Sequence, residues 1–99
     1  MLIANGIEGK YLEYLGKPLV RQGNELFYGS MSDKYYLYIM ITKEEPSSAF
    51  NINLPTNLFI QIMPTDPNEL PPAKMQKSVS SLSEAFEYGI AWLERANRA

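Results

Sequence analysis

The sequence predicts an α+β fold, an antiparallel β-meander of about four to six strands with a C-terminal amphipathic helix packed on one face. Three observations carry that reading. Short period-two stretches rich in Tyr, Val, Ile and Leu succeed one another as far as Val79, punctuated by Gly, Pro, Asn and Ser. Gly23-Asn24 lies between two of them and has the composition of a two-residue hairpin loop. From Ser81 onward the apolar period lengthens to that of a helix.

The first strand covers Tyr11 to Leu15 and closes at a Gly16-Lys17 turn. Pro18 then opens the next strand, where a missing amide donor is tolerated. Leu19 to Gln22 turns at Gly23-Asn24 and returns as Glu25 to Gly29. Glycine at the first central position selects a type II′ turn, which sets Val20 opposite Phe27 and Leu19 opposite Tyr28.

Lys34 to Lys43 is the strongest strand. Leu37, Ile39 and Ile41 share one face; Tyr36, Tyr38 and Met40 share the other, so both sides are apolar, as in the middle of a sheet. Asn57 to Met63 repeats the pattern, with Leu58, Ile60 and Ile62 opposed to Phe59, Gln61 and Met63. Between them Glu44 to Thr56 reads as a longer connection, inside which Phe50 to Leu54 alternates as a short strand extension. Pro64, Pro67, Pro71 and Pro72 mark a turn-rich loop. Ala73 to Val79 follows as an edge strand whose lysines discourage sheet-to-sheet pairing.

The helix is expected over 82–97. Ser81 and Glu84 have the spacing of a capping box, in which each side chain satisfies a free amide of the first turn. Leu82, Ala85, Phe86, Gly89, Trp92, Leu93 and Ala96 fall in one stripe about 120° wide, with Glu84, Glu87, Glu94, Arg95 and Arg98 opposite. Glu94 and Arg98 form an i,i+4 pair in the favourable order. Gly89 lowers helix propensity by roughly 1 kcal/mol, yet it sits at the centre of the apolar stripe. A close approach of helix to sheet explains it. The chain is one domain, 1–99, with the sheet over about 9–79.

Composition narrows the chemistry. The 99 residues contain no Cys and no His, so thiol nucleophiles, His-based triads and the usual zinc sites are excluded. A net charge of −2 disfavours duplex nucleic acid, which needs a concentrated basic face. No window approaches the roughly 20 apolar residues of a membrane helix. With neither a signal-peptide core nor cysteines, the expected compartment is the cytoplasm and no membrane partner is expected. No glycine-rich phosphate loop occurs, and no cofactor is expected.

The remaining acid–base candidates have simpler readings. Glu44-Glu45 reads as a solvated loop pair, since a shifted carboxylate needs burial and a cleft. Asp66 to Glu69 lacks the ligand spacing of a calcium loop and fits an Asx-turn stabilised by Pro67. Ser78, Ser80, Ser81 and Ser83 lie near Lys74 and Lys77, but helix capping accounts for Ser81 better than a Ser–Lys dyad does. No catalytic or metal site is assigned.

The feature above background is aromatic. Tyr35, Tyr36 and Tyr38 fall within one strand, and Phe27 and Tyr28 come from the neighbouring hairpin. If the helix covers one sheet face, the other presents Tyr36, Tyr38, Met40, Phe59 and Met63, a candidate interaction face. The leading reading is a small non-catalytic protein-interaction or regulatory module, expected as a homodimer through this face, with Tyr88 and Trp92 on the helix edge as the other possible contact. The alternative is a single-stranded nucleic-acid-binding module, its tyrosines flanked by Arg21, Lys34 and Lys43. A carboxylate-based enzyme comes third. A positive rim beside the tyrosines would favour nucleic acid, and a neutral one protein.

Overall fold

A computed structural model of the chain describes residues 12–49 and 52–98. Over them run β1 (Leu12–Tyr14), β2 (Lys17–Gln22), β3 (Glu25–Tyr28), β4 (Tyr35–Ser47), β5 (Ile52–Pro64), β6 (Gln76–Val79) and α1 (Leu82–Arg98). The strands pair antiparallel in sequence order, and α1 lies across one face of the sheet on β4, β5 and β6. This is the α+β meander that the pattern predicts. Tyr11 and Phe50, both assigned to strands from the sequence, lie outside the described residues.

The two hairpin turns use different backbone solutions. Gly23 has a φ of 63° while Asn24 stays at negative φ, the type II′ geometry, and Val20 indeed faces Phe27 and Leu19 faces Tyr28. The first turn falls on Leu15-Gly16, one residue earlier than expected, so that Lys17 opens β2 and Pro18 is its second residue. Both turn residues have positive φ, 51° and 82°, as a type I′ turn requires. Leucine is a poor occupant of that region, and Leu15 is 71% exposed with no burial to offset the strain.

The main departure lies between β4 and β5. The expected connection over 44–56 is mostly ladder, since pairing continues from Glu44 opposite Pro55 to Ser47 opposite Ile52. The register slips on either side of Lys43, which re-aims the strands. The β3 partner ends against Met40 and the β6 partner begins at Leu58, so 43–47 and 52–57 form a two-stranded arm beyond the main sheet. Pro46 and Pro55 are tolerated there because neither outer edge has a neighbouring strand among the described residues.

The core lies between α1 and the sheet. Leu37, Ile39, Leu58, Ile60 and Ile62 are fully buried, and the helix adds Ala85, Leu93 and Ala96. Gly89 sits directly over Leu37. A Cβ built at Gly89 would lie 2.6 and 2.7 Å from the two Leu37 δ-carbons, inside any real contact distance. The helix is also pinned at its ends. Asn97 accepts the Tyr35 amide through Oδ1 at 2.9 Å and donates through Nδ2 to the Tyr35 carbonyl at 3.3 Å, so its side chain imitates a strand partner for β4. At the other end Ser81 Oγ accepts the Glu84 amide at 3.1 Å, as a capping box predicts. The reciprocal bond is displaced by one residue, because Glu84 Oε1 accepts the amide and hydroxyl of Ser80 at 2.9 and 2.8 Å. The Glu94–Arg98 pair does not close; the described ion pairs are Lys17–Asp33, Arg21–Glu44 and Lys43–Glu45. Tyr14, Tyr28 and Phe86 pack with ring centroids 5.4 to 6.2 Å apart, and the Tyr28 hydroxyl donates to the Tyr14 carbonyl at 2.6 Å. That trio ties the short β1 edge to the helix.

Two substitutions test this account. Gly89→Ala would raise helix propensity on an exposed surface, but against Leu37 it should lower stability by about 1–3 kcal/mol, the range for overpacking a filled core. Leu15→Asn should act in the opposite direction, with the Asn-Gly pair relieving the left-handed strain for a gain of about 1 kcal/mol. Urea melts of both variants read the two signs directly, and a stabilised Gly89→Ala protein would place the helix farther from the sheet.

Candidate functional site

Opposite residues of an antiparallel ladder share a face, so the register assigns the sheet surface that α1 leaves open. Its central row runs Val20, Phe27, Tyr38, Gln61, Gln76 across β2 to β6. One flanking row holds Glu25, Met40, Phe59 and Ser78, and the other pairs Tyr36 with Met63. All five expected residues, Tyr36, Tyr38, Met40, Phe59 and Met63, therefore lie on one face, and each is half-buried. Tyr35 does not join them. It packs against the helix-side core, so the three-tyrosine run divides between the two faces. Phe27 does belong, with its ring 5.6 Å from Tyr38 and 6.4 Å from Tyr36. The hairpin register fixed at Gly23-Asn24 was the signal that could have added it to the expected set.

Two loops raise one end of this face into a groove of about 490 Å³. Phe27, Tyr36 and Met63 form its floor, and Met31, Pro67 and Glu69 stand around it. The walls are braced by polar contacts. Thr65 donates through its amide to the Lys34 carbonyl at 2.9 Å and through its hydroxyl to the Asp33 carbonyl at 2.8 Å. Asp33 in turn holds Lys17 at 3.0 Å, which joins both loops to the start of β2. The walls come from loops distant in sequence, and no local pattern marked them.

The charges of the face are few and acidic among the described residues. Its strand rows there carry Glu13, which stands opposite Pro18 at the β1 edge, and Glu25, whose carboxylate accepts the Tyr38 hydroxyl at 2.5 Å. Burial and this bond push the Tyr38 phenol up to about 12. Burial also raises Tyr36. The cations expected to flank the tyrosines are engaged elsewhere. Arg21 shares the helix-side row of Leu26 and reaches Gly23 and Glu44; Lys34 lies over the Tyr35 ring; Lys43 pairs with Glu45 at 3.2 Å. Among the described residues the rim carries Glu13 and Glu69 and is not positive.

The other candidates resolve into structural roles. Glu44 and Glu45 lie on the exposed arm, each against a cation. Asp66 Oδ1 accepts the Asn68 amide at 2.9 Å and its carbonyl accepts the Glu69 amide at 3.0 Å, the bonds of an Asx-turn. Ser80 and Ser81 are engaged at the helix start, and Glu84 is held below the usual carboxylate range, chiefly by its bonds from the Ser80 amide and hydroxyl. Lys77 stands 3.9 Å over the Tyr88 ring, and Tyr88 lies 6.5 Å from Trp92, which occupies the helix-edge aromatics internally. Among the described residues no three carboxylates gather into a metal-binding group, and no helix is long and apolar enough to cross a membrane.

Compared with protein-family models, with curated proteins and with solved structures, the chain matches none. Fold geometry and side-chain chemistry therefore carry the functional reading.

The Glu25–Tyr38 bond has a measurable signature. Because the folded state holds the Tyr38 proton beyond the ordinary phenol value near 10, stability from this group is complete below about pH 10 and falls as pH rises toward 12. A phenolate absorbance titration should show a late-ionising tyrosine that disappears in Tyr38→Phe and moves to lower pH in Glu25→Gln. An unchanged titration in Glu25→Gln would mean that the two groups do not touch.

Proposed function

We propose that the protein is a small, non-catalytic interaction module of the cytoplasm whose binding surface is the sheet face opposite α1. The observation that carries this reading is the juxtaposition of Phe27, Tyr36, Tyr38, Met40, Phe59 and Met63 on a face whose strand rows, among the described residues, hold no cation and whose central carboxylate, Glu25, is already bonded to Tyr38. Aromatic and methionine side chains are the residues enriched in the cores of protein interfaces, and contiguous apolar surface of this kind marks association sites. The cytoplasmic assignment follows from the sequence, which lacks the cysteines of small secreted folds.

A single-stranded nucleic acid would use the same rings as stacking platforms but also needs cations tracking its backbone. Arg21, Lys34 and Lys43 have other partners, so this reading loses the charge on which it depends. A carboxylate enzyme needs a shifted carboxylate in a cleft, and the groove's carboxylate, Glu69, is on an exposed turn.

Photo-crosslinking separates the faces. A benzophenone side chain at position 59 should give adducts in cell extract, competed by excess unlabelled protein, while the same probe at the exposed helix position 87 should give none. Adducts from position 87 alone would overturn the assignment of the binding surface.

A further inference from the structure

We propose that the partner protein meeting this face presents an arginine, whose guanidinium enters the groove over Phe27 and Tyr36 and pairs with Glu69; the proposal rests on the reading of the face as a binding surface. Charge complementarity selects this occupant. Among the described residues the charged side chains of the face are acids: Glu13 at the β1 edge, Glu25 beside Tyr38 and Glu69 in the groove. Glu25 is engaged by the Tyr38 hydroxyl, whereas Glu13 and Glu69 take part in none of the described ion pairs. The groove lining contains no Lys or Arg. A basic group therefore enters without meeting its own sign, while an acidic partner is repelled.

The rings beside that carboxylate narrow the choice of cation. Phe27 and Tyr36 lie in the floor with centroids 6.4 Å apart and planes inclined at 43°. An aromatic face attracts a cation held within about 6 Å of its centroid. Guanidinium is planar and weakly hydrated, so it can stack on a ring while its edge donates two hydrogen bonds to a carboxylate. The ammonium of lysine is a compact, strongly hydrated charge and gains less on an open floor. A metal ion needs several oxygen ligands together, and no three acidic residues gather among the described residues.

The surroundings suit an arginine set between apolar neighbours. Met31 on the groove wall is 53% exposed, and Leu70, next in the chain to Glu69, is 86% exposed. Beyond the groove the face continues into Tyr38, Met40 and Phe59. At 490 Å³ the groove lies within the range of about 300–1,000 Å³ typical of clefts that hold an organic group.

The probe is a blocked peptide, acetyl-Gly-Leu-Arg-Leu-Gly-amide, with citrulline or lysine in place of arginine as controls. Citrulline keeps the shape and loses the charge. Titrated into the full chain, the arginine peptide should bind in the millimolar range, the strength expected of a single anchor. Amide chemical shifts should move at residues 27, 31, 36 and 69 and hold still at Tyr88 and Trp92. The citrulline peptide should bind roughly fivefold more weakly, with lysine between the two. Glu69→Gln, on an exposed turn, should bring the arginine peptide to the citrulline level, and Glu87→Gln on the outer helix surface should leave it unchanged. Raising salt from about 0.05 to 0.5 M should narrow the gap between arginine and citrulline.

An arginine peptide that binds no better than its controls, or equally well to Glu69→Gln, overturns the proposal. So do shifts at residues 36 and 59 that follow protein concentration without peptide, which would make a second copy the occupant. Crosslinking from position 59 then separates the two readings. If competed adducts with another protein still form, the face remains a binding surface and only the arginine anchor is lost. If none form, both readings fall.

Discussion

The rest of the structure depends on one steric contact, the backbone of α1 at Gly89 resting on the Leu37 side chain of β4. A Cβ at position 89 would overlap both Leu37 δ-carbons, so the helix reaches this depth only because the residue has no side chain. At that depth Ala85, Leu93 and Ala96 close over Ile39, Leu58, Ile60 and Ile62, and Asn97 comes within hydrogen-bond reach of Tyr35. A larger residue would lift the helix and open space beneath these small side chains, at a cost in lost contacts as well as strain. The propensity lost at Gly89 is therefore the cost of a close-packed layer.

With one face committed to the helix, the sequence alternation determines what the other must display. The helix side of β4 and β5 is aliphatic, with Leu37, Ile39, Ile41, Leu58, Ile60 and Ile62; the open side is aromatic and sulfur-bearing. Branched aliphatic chains suit a permanently dry core, whereas Tyr and Met tolerate partial hydration and can release water on association. Glu25 fits the same pattern. Its carboxylate, costly on an apolar surface, is held by the Tyr38 hydroxyl rather than left for a partner to satisfy.

The period-two alternation made the two faces legible in the sequence, and Gly23-Asn24 made the central register legible, because each reports a geometry confined to a few neighbouring residues. Tyr36, Tyr38, Met40, Phe59 and Met63 were recoverable on those grounds, and so was the close approach at Gly89. The extension of β4 and β5 was only partly legible, because Pro46 and Pro55 mark turns in most contexts and are permitted here by unpaired outer edges. The Leu15-Gly16 turn was misplaced by one residue because leucine gives no sign of a left-handed conformation. The groove walls depend on Thr65 bonding to Asp33 and Lys34, more than thirty residues away, and no local pattern encodes that contact.

Sequential strand order has a consequence for synthesis on the ribosome. Each strand pairs with its neighbour in the chain, so every hairpin from β1 to β5 can form as soon as its second strand emerges, with short loops to close. The helix is the exception. It completes the fold by returning from β6 to the start of β4, where Asn97 meets Tyr35 across 62 positions of sequence. Until residues 82–98 have left the exit tunnel, the nascent sheet shows water an aliphatic face as well as an aromatic one. The chain is then at its stickiest, and the arrival of a single helix ends that exposure.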